Sequence, residues 1–162
     1  MKTAAIVLMV LVLAVGACLG YGLFNSTLQV TGKGLQIISA LDRTGEFEAL
    51  RNALGEGSLL GTILNRQQLG SADQYSYYVY TLRLHNPGLV PAEMVEMQIA
   101  PIQQDVLFYG ETQEIIIPPQ GTRDVWCVLL TQGTPHPVRD LFVTYYLWGH
   151  PHEVKFTYDN AY

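Results

Sequence analysis

The sequence predicts a mainly β protein: an antiparallel β-sandwich of about seven to eight strands with one short helix, preceded by one N-terminal transmembrane helix. Two observations carry this prediction. Residues 4–24 contain no charged side chain, and from residue 75 onward apolar and polar residues alternate with period two. No helical periodicity alternates with these strands, so a parallel α/β sheet is excluded.

The N-terminal apolar stretch is long enough to cross a bilayer. As a helix, residues 4–24 would extend roughly 31 Å at about 1.5 Å per residue, which matches one hydrocarbon core. Lys2 and the α-amino group should keep the short end in the cytoplasm, because positive charge marks that side. We therefore predict a membrane anchor or signal at 1–25 and one extracytoplasmic domain at 26–162.

Two other interpretations of the N-terminus stay open. The small residues Val15–Ala17 precede Cys18 much as small residues precede the acylated cysteine of a lipoprotein, although Val replaces the usual Leu and an apolar run follows. The same residues also fit a signal-peptide cleavage site, which would leave a secreted protein. All three interpretations place the rest of the chain outside the cytoplasm.

The charge balance is acidic, with 9 Lys and Arg against 14 Asp and Glu and a formal net charge of −5. Binding to a nucleic-acid backbone needs clustered basic residues, so this composition argues against a nucleic-acid partner. The 2 cysteines are Cys18 and Cys127. They could not pair if Cys18 lay in a bilayer, so no disulfide framework is predicted, and Cys127 is expected to be a small buried hydrophobe.

The first part of the domain predicts one strand and a loop. Residues 27–40 alternate loosely and predict a strand with a bulge at 32–34, where two glycines flank a lysine. Residues 55–74 are rich in Gly, Ser and Gln, and they predict a loop that holds one brief strand near 59–64.

One short helix is predicted between that strand and that loop, at about 45–54. Phe47, Leu50 and Leu54 recur on one helical face, and Gly55 follows as a helix stop. Because this apolar stripe is narrow, the helix is expected to pack on the edge or end of a sheet.

The remaining chain predicts a run of short strands. Tyr75–His85 is the clearest, and Asn86-Pro87-Gly88 follows it as a turn signal. The other predicted strands are 94–100, 106–109, 114–117, 124–131, 141–148 and 154–158. About seven strands with turns every 8–12 residues indicate a sandwich of the immunoglobulin-like kind.

Period two on the two tyrosine-rich strands separates the side chains by face. The more apolar set is expected to face the core: Tyr78, Tyr80, Leu82, Leu84, Leu141, Val143, Tyr145 and Leu147. The outward set supplies candidates for a partner-binding face, because Tyr, Trp and Arg dominate binding hot spots. These candidates are Tyr77, Arg83, Tyr146 and Trp148.

Four features of the sequence together resemble a known kind of protein. An apolar N-terminal segment, then YxLxLxNPG, an IIPPQG turn and a tyrosine-rich last hairpin resemble bacterial single-pass membrane proteins with an extracytoplasmic immunoglobulin-like or fibronectin-III-like domain. The likeness covers residues 75–158 and lacks the immunoglobulin Cys…Trp…Cys spacing. It implies a binding or structural module outside the cell and carries over no functional residue.

Catalytic and cofactor motifs are absent from the sequence, so no enzyme activity and no cofactor are predicted. The alternative is a copper- or zinc-binding β-sandwich of the envelope, with His136, His150 and His152 as ligands. Pro151 between the last two histidines interrupts simple strand geometry. The predicted function is therefore a non-enzymatic, membrane-anchored extracytoplasmic module that binds a protein partner or serves structurally.

Overall fold

The computed structural model describes residues 2–24, 27–57, 61–65, 69–133 and 138–159, and within the first of these ranges it describes the side chains of 5–17 and 20 only. The ends of the predicted anchor at 1 and 25, the side chain of Cys18, and all of His136 lie outside this description.

The chain begins with the helix α1, Lys2–Phe24, which has 23 residues. Along residues 5–17 every side chain is apolar and every one is exposed. Among the residues that the structure describes, no helix is both long and apolar enough to cross a membrane.

Among the described residues, eight strands form two antiparallel sheets. They are β1 Gln29–Ser39, β2 Thr62–Ile63, β3 Tyr75–His85, β4 Glu93–Ile99, β5 Asp105–Gly110, β6 Thr122–Gln132, β7 Arg139–Leu147 and β8 His150–Tyr158. The five-stranded sheet has the order β1-β3-β6-β5-β2, and the three-stranded sheet has the order β4-β7-β8. The predicted mainly β fold of two antiparallel sheets is confirmed.

The main core lies between the two sheets. Tyr80, Leu82 and Leu129 of the five-stranded sheet share it with Leu141 and Tyr145 of the three-stranded sheet, and all five are fully buried. Period two thus assigned the inward faces of β3 and β7 correctly, because each strand is half covered and successive side chains point to opposite faces.

A second layer covers one end of the outer face of the five-stranded sheet, where β3 begins and β6 ends. The helix α2, Thr44–Glu56, follows a 3₁₀ turn at Ala40–Arg43 and ends at Gly57, whose φ is 68°. Its Phe47 ring packs against Tyr75 with ring centroids 5.3 Å apart. The helix therefore packs on the outer face of the five-stranded sheet at the end where β3 begins, which agrees with the expected position at an end of a sheet.

Two local predictions had different outcomes. The bulge in β1 is confirmed, since the register against β3 shifts between Val30 and Gly32. The predicted strand at 114–117 is wrong, because only one bridge, Ala92 to Ile117, forms there. Pro118 follows directly and offers no N–H with which the ladder could continue.

Candidate functional site

The four predicted partner-binding residues do not form one face. Tyr77 is only 3% exposed. It packs in a buried cluster with Phe47 of α2, Tyr75 and Leu130. Burial raises the pKa of its phenol to about 12. Its expected outward exposure was wrong, since alternation shows which face a residue lies on and cannot show whether a helix covers that face.

Arg83 and Tyr146 lie on opposite sides of the sandwich. Arg83 is exposed on the outer face of the five-stranded sheet, where its guanidinium donates to both carboxylate oxygens of Asp124 at 2.7 and 2.9 Å. This bidentate pairing holds the pKa of Asp124 below its usual range. Tyr146 is half-buried on β7 in the other sheet. The two residues therefore cannot contribute to a single flat patch.

Trp148 is the most exposed of the four candidates, at 67%. It lies with Gly149 in the two-residue turn between β7 and β8, and both residues have positive φ, 54° and 74°. Two positive φ values define a type I′ hairpin turn, which favours Asn and Gly at these positions. A Trp held there costs about 1 kcal/mol or more of backbone strain. Neither turn chemistry nor core packing explains this residue.

The two described histidines of the proposed metal set lie at the start of β8. His150 is exposed, and the imidazole of His152 stacks on the Tyr145 ring with centroids 5.4 Å apart. Pro151 fits within β8 opposite Tyr146, so the expected break of the strand at this proline was wrong. β8 is an edge strand, where proline is tolerated. Among the described residues, no group of three or more His, Cys, Asp or Glu could hold a metal ion.

A buried polar cluster lies at the start of β5 and β7, and sequence reasoning missed it. Asp105 accepts a 2.6 Å hydrogen bond from the Thr131 hydroxyl and lies 3.5 Å from the Arg139 guanidinium. It also accepts a 2.7 Å bond from the Ile102 backbone N–H. Asp105 and Arg139 are 34 residues apart, so no local pattern could have paired them. Their contacts join strand ends of the two sheets, which is a structural role.

Cys127 is a buried thiol in the main core, as the sequence predicted. Burial raises the pKa of this thiol to about 12. The reactive thiolate is therefore nearly absent at neutral pH, and Cys127 offers no nucleophile.

The exposed Trp148 lies at one end of the sandwich, near several loops. We name it the Leu28 end, and it consists of Leu28, the loop 86–92, the turn 118–121 and the turn 148–149. The Leu28 backbone N–H donates to the Tyr145 hydroxyl at 3.2 Å, and the next residue, Gln29, pairs with His85 at the end of β3.

The loops of the Leu28 end are joined by direct hydrogen bonds. The Asn86 side-chain amide donates to the Val90 and Ile117 carbonyls at 2.7 and 3.1 Å, and its oxygen accepts from the Gly88 N–H at 2.9 Å. The Gln120 amide donates to the Pro87 carbonyl at 2.6 Å. The sequence signal Asn86-Pro87-Gly88 marked this turn, but it could not show that Leu89 would be exposed at 61%.

Comparisons with known proteins add little to this geometry. No protein-family model and no curated protein matches the sequence. Among solved structures, the chain is similar to the FixG-related protein from Vibrio parahaemolyticus, with 14% identity and a TM-score of 0.36. That match covers 82% of this chain and 100% of the other. A TM-score of this size does not establish a shared fold.

Proposed function

We propose that the protein is a membrane-anchored extracytoplasmic module, non-enzymatic, whose β-sandwich binds a protein partner or serves structurally outside the cytoplasm. The observation that carries the proposal is the nature of α1. Its residues 5–17 expose an unbroken series of apolar side chains, and the whole stretch 4–24 has no charge. A continuous apolar surface of this kind needs an apolar environment, and a bilayer supplies one.

The strand order supports an immunoglobulin-like form of the sandwich. Labelled from A to G in chain order and leaving out the two-residue β2, the larger sheet has the order A-B-E-D and the smaller sheet the order C-F-G. This is the arrangement of constant-type immunoglobulin domains. Modules of this architecture have many unrelated functions, so the strand order alone assigns none of them.

The engagement of the reactive side chains supports a non-enzymatic role. Asp105 is buried against Arg139 and Thr131, His152 is stacked on Tyr145, and Cys127 is buried as a neutral thiol. Each of these groups already has a packing or pairing role in the fold. An active site needs such groups directed at a substrate position.

Membrane fractionation followed by alkaline carbonate washing tests the proposal. We expect the full-length protein to stay in the pellet, because carbonate releases peripheral proteins and leaves spanning helices. The double variant Leu8→Arg/Leu11→Arg should be lost from the pellet, since each arginine at the centre of a spanning helix costs about 2.5–3.5 kcal/mol. Leu41→Arg, at an exposed leucine of the β domain, is the matched control and should stay in the pellet.

The same experiment separates the remaining interpretations of the N-terminus. Incorporation of labelled palmitate that is lost in Cys18→Ala, together with loss of membrane retention, would make the protein a lipoprotein. A shortened mature chain in the extracellular or periplasmic fraction would make it a secreted protein. Release of the full-length wild type by carbonate would contradict the anchor.

A further inference from the structure

The Leu28 end presents two large apolar side chains to solvent. Trp148 and Leu89 are 67% and 61% exposed, and they belong to separate loops, the β7–β8 turn and the β3–β4 loop. Trp148 also has the left-handed backbone conformation that a turn normally gives to Asn or Gly. An exposed, strained aromatic residue of this kind marks a position where the side chain serves something other than the fold.

Hydrogen bonds and strand pairing hold the two turns that carry these apolar side chains. The Asn86 and Gln120 side chains donate hydrogen bonds to the carbonyls of Pro87, Val90 and Ile117. Trp148 lies in the turn that directly follows the last register pair of β7 and β8, Leu147 with His150. Little conformational freedom remains to be lost when such tips bind, so a small contact can be favourable.

The position of Leu28 limits how far the Leu28 end can lie from the end of α1. α1 ends at Phe24, and Leu28 is already bonded to Tyr145 in the core of the domain. Four residues extend at most about 14 Å. If α1 spans a bilayer, the Leu28 end is therefore within about 14 Å of the membrane surface. The opposite end of β1, an 11-residue strand, lies about 33 Å from the Leu28 end.

We propose that the Leu28 end docks on the bilayer that holds α1, with Trp148 and Leu89 entering the boundary between headgroups and acyl chains. This inference rests on the proposed function. An indole favours that boundary because its ring is apolar and its N–H is polar, and leucine gains by leaving water. Because the chain has a net charge of −5, it is not attracted electrostatically to anionic lipids. The contact should therefore depend on apolar burial alone and should be insensitive to salt.

Tryptophan fluorescence of the full-length protein in phosphatidylcholine vesicles tests the docking. The chain has 2 tryptophans, so Trp126→Phe reports Trp148 alone and Trp148→Phe reports Trp126 alone. Trp126 lies within β6, away from the turns of the Leu28 end. With lipids that carry a nitroxide near the top of the acyl chain, we expect Trp148 to lose most of its emission and Trp126 to keep it.

A matched pair of leucine variants tests the second contact. In the Trp126→Phe background, Leu89→Ser should reduce the quenching of Trp148, because the end binds the surface less firmly. Leu41→Ser should leave it unchanged, since Leu41 is 55% exposed but follows β1 at its far end.

Flotation of the same vesicles separates the two proposals. Protein that fails to float contradicts the anchor itself. Protein that floats while Trp148 stays as unquenched as Trp126 overturns the docking alone, as it would if this end bound a protein partner instead. Quenching of Trp148 that disappears at high salt also overturns the inference, because the contact would then be electrostatic.

Discussion

The backbone N–H of Leu28 donates a hydrogen bond to the hydroxyl of Tyr145 at 3.2 Å, across 117 residues of sequence. Both residues are buried in the main core. Through this bond the first residues after the N-terminal helix become part of the sandwich. The start of the domain is therefore fixed on β7, in the sheet that does not contain β1.

Removing this acceptor should destabilise the domain. In Tyr145→Phe the Leu28 N–H stays buried and loses its partner, so we expect the free energy of unfolding to fall by about 1–3 kcal/mol. Urea denaturation of the purified protein, followed by circular dichroism in the β region, measures the change.

Tyr77→Phe is the matched control for this prediction. The Tyr77 hydroxyl is buried and has no hydrogen-bond partner among the described residues. Its removal takes away a desolvated polar group, so stability should be unchanged or higher by up to about 1 kcal/mol. Equal losses in the two tyrosine variants would show that packing, not the hydrogen bond to Leu28, determines the effect.

The two aspartate–arginine pairs should differ strongly in their contribution to stability. Asp105→Asn removes a buried counter-ion of Arg139 and should cost roughly 3 kcal/mol or more. Asp124→Asn breaks the exposed pair with Arg83 and should cost far less, because water screens this pair despite its shorter distance of 2.7 Å. Thermal unfolding of both variants compares them, and a larger loss in Asp124→Asn would contradict this assignment.

Alkaline pH should weaken the fold through its buried acids. Burial raises the pKa of Cys127 from 9.0 to about 12 and that of Tyr77 from 10.0 to about 12. A raised folded pKa means that the unfolded chain releases its protons first, so stability is complete below about pH 9 and falls as the pH rises toward 12.

The urea midpoint measured from pH 7 to 11 checks this direction. Cys127→Ala should lose less stability over this range than the wild type does, although it is less stable at neutral pH because it leaves a small cavity. A midpoint that rises between pH 9 and 11 would contradict the prediction.

Metal addition tests the opposing functional class. We expect native mass spectrometry of the protein with added copper or zinc to show no stoichiometric retention, because His152 is stacked on Tyr145. Retention by the wild type that is lost in His150→Ala/His152→Ala would instead establish the metal-binding alternative.

Sequence periodicity correctly predicted which side chains are buried on strands that have one covered face. Tyr80 and Leu82 on β3 and Tyr145 on β7 are buried as alternation required, and the glycines near residue 32 marked a real bulge. In these cases the determining interaction is local, since the face of a side chain follows from its position along the strand.

Periodicity failed where contacts between distant parts of the chain decide the outcome. Tyr77 lies on the outer face, as predicted, but Phe47 of α2 covers the part of that face where Tyr77 lies. β3 and β7 belong to different sheets, so Arg83 and Tyr146 cannot share a surface. The Asp105–Arg139 pair and the grouping of Leu89 with Trp148 at one end also depend on topology, which strand patterns do not specify.

Cysteine labelling in intact spheroplasts tests most directly whether residues 4–24 hold the sandwich on the outer side of the membrane. Glu153→Cys places a thiol at an exposed position on β8, and the wild type is the control because it has Cys18 and Cys127 but lacks this added thiol. With a membrane-impermeant maleimide, we expect the variant to be labelled without lysis and to remain in the carbonate-washed pellet. Labelling that appears only after lysis, or labelled protein in the carbonate supernatant, would contradict the account.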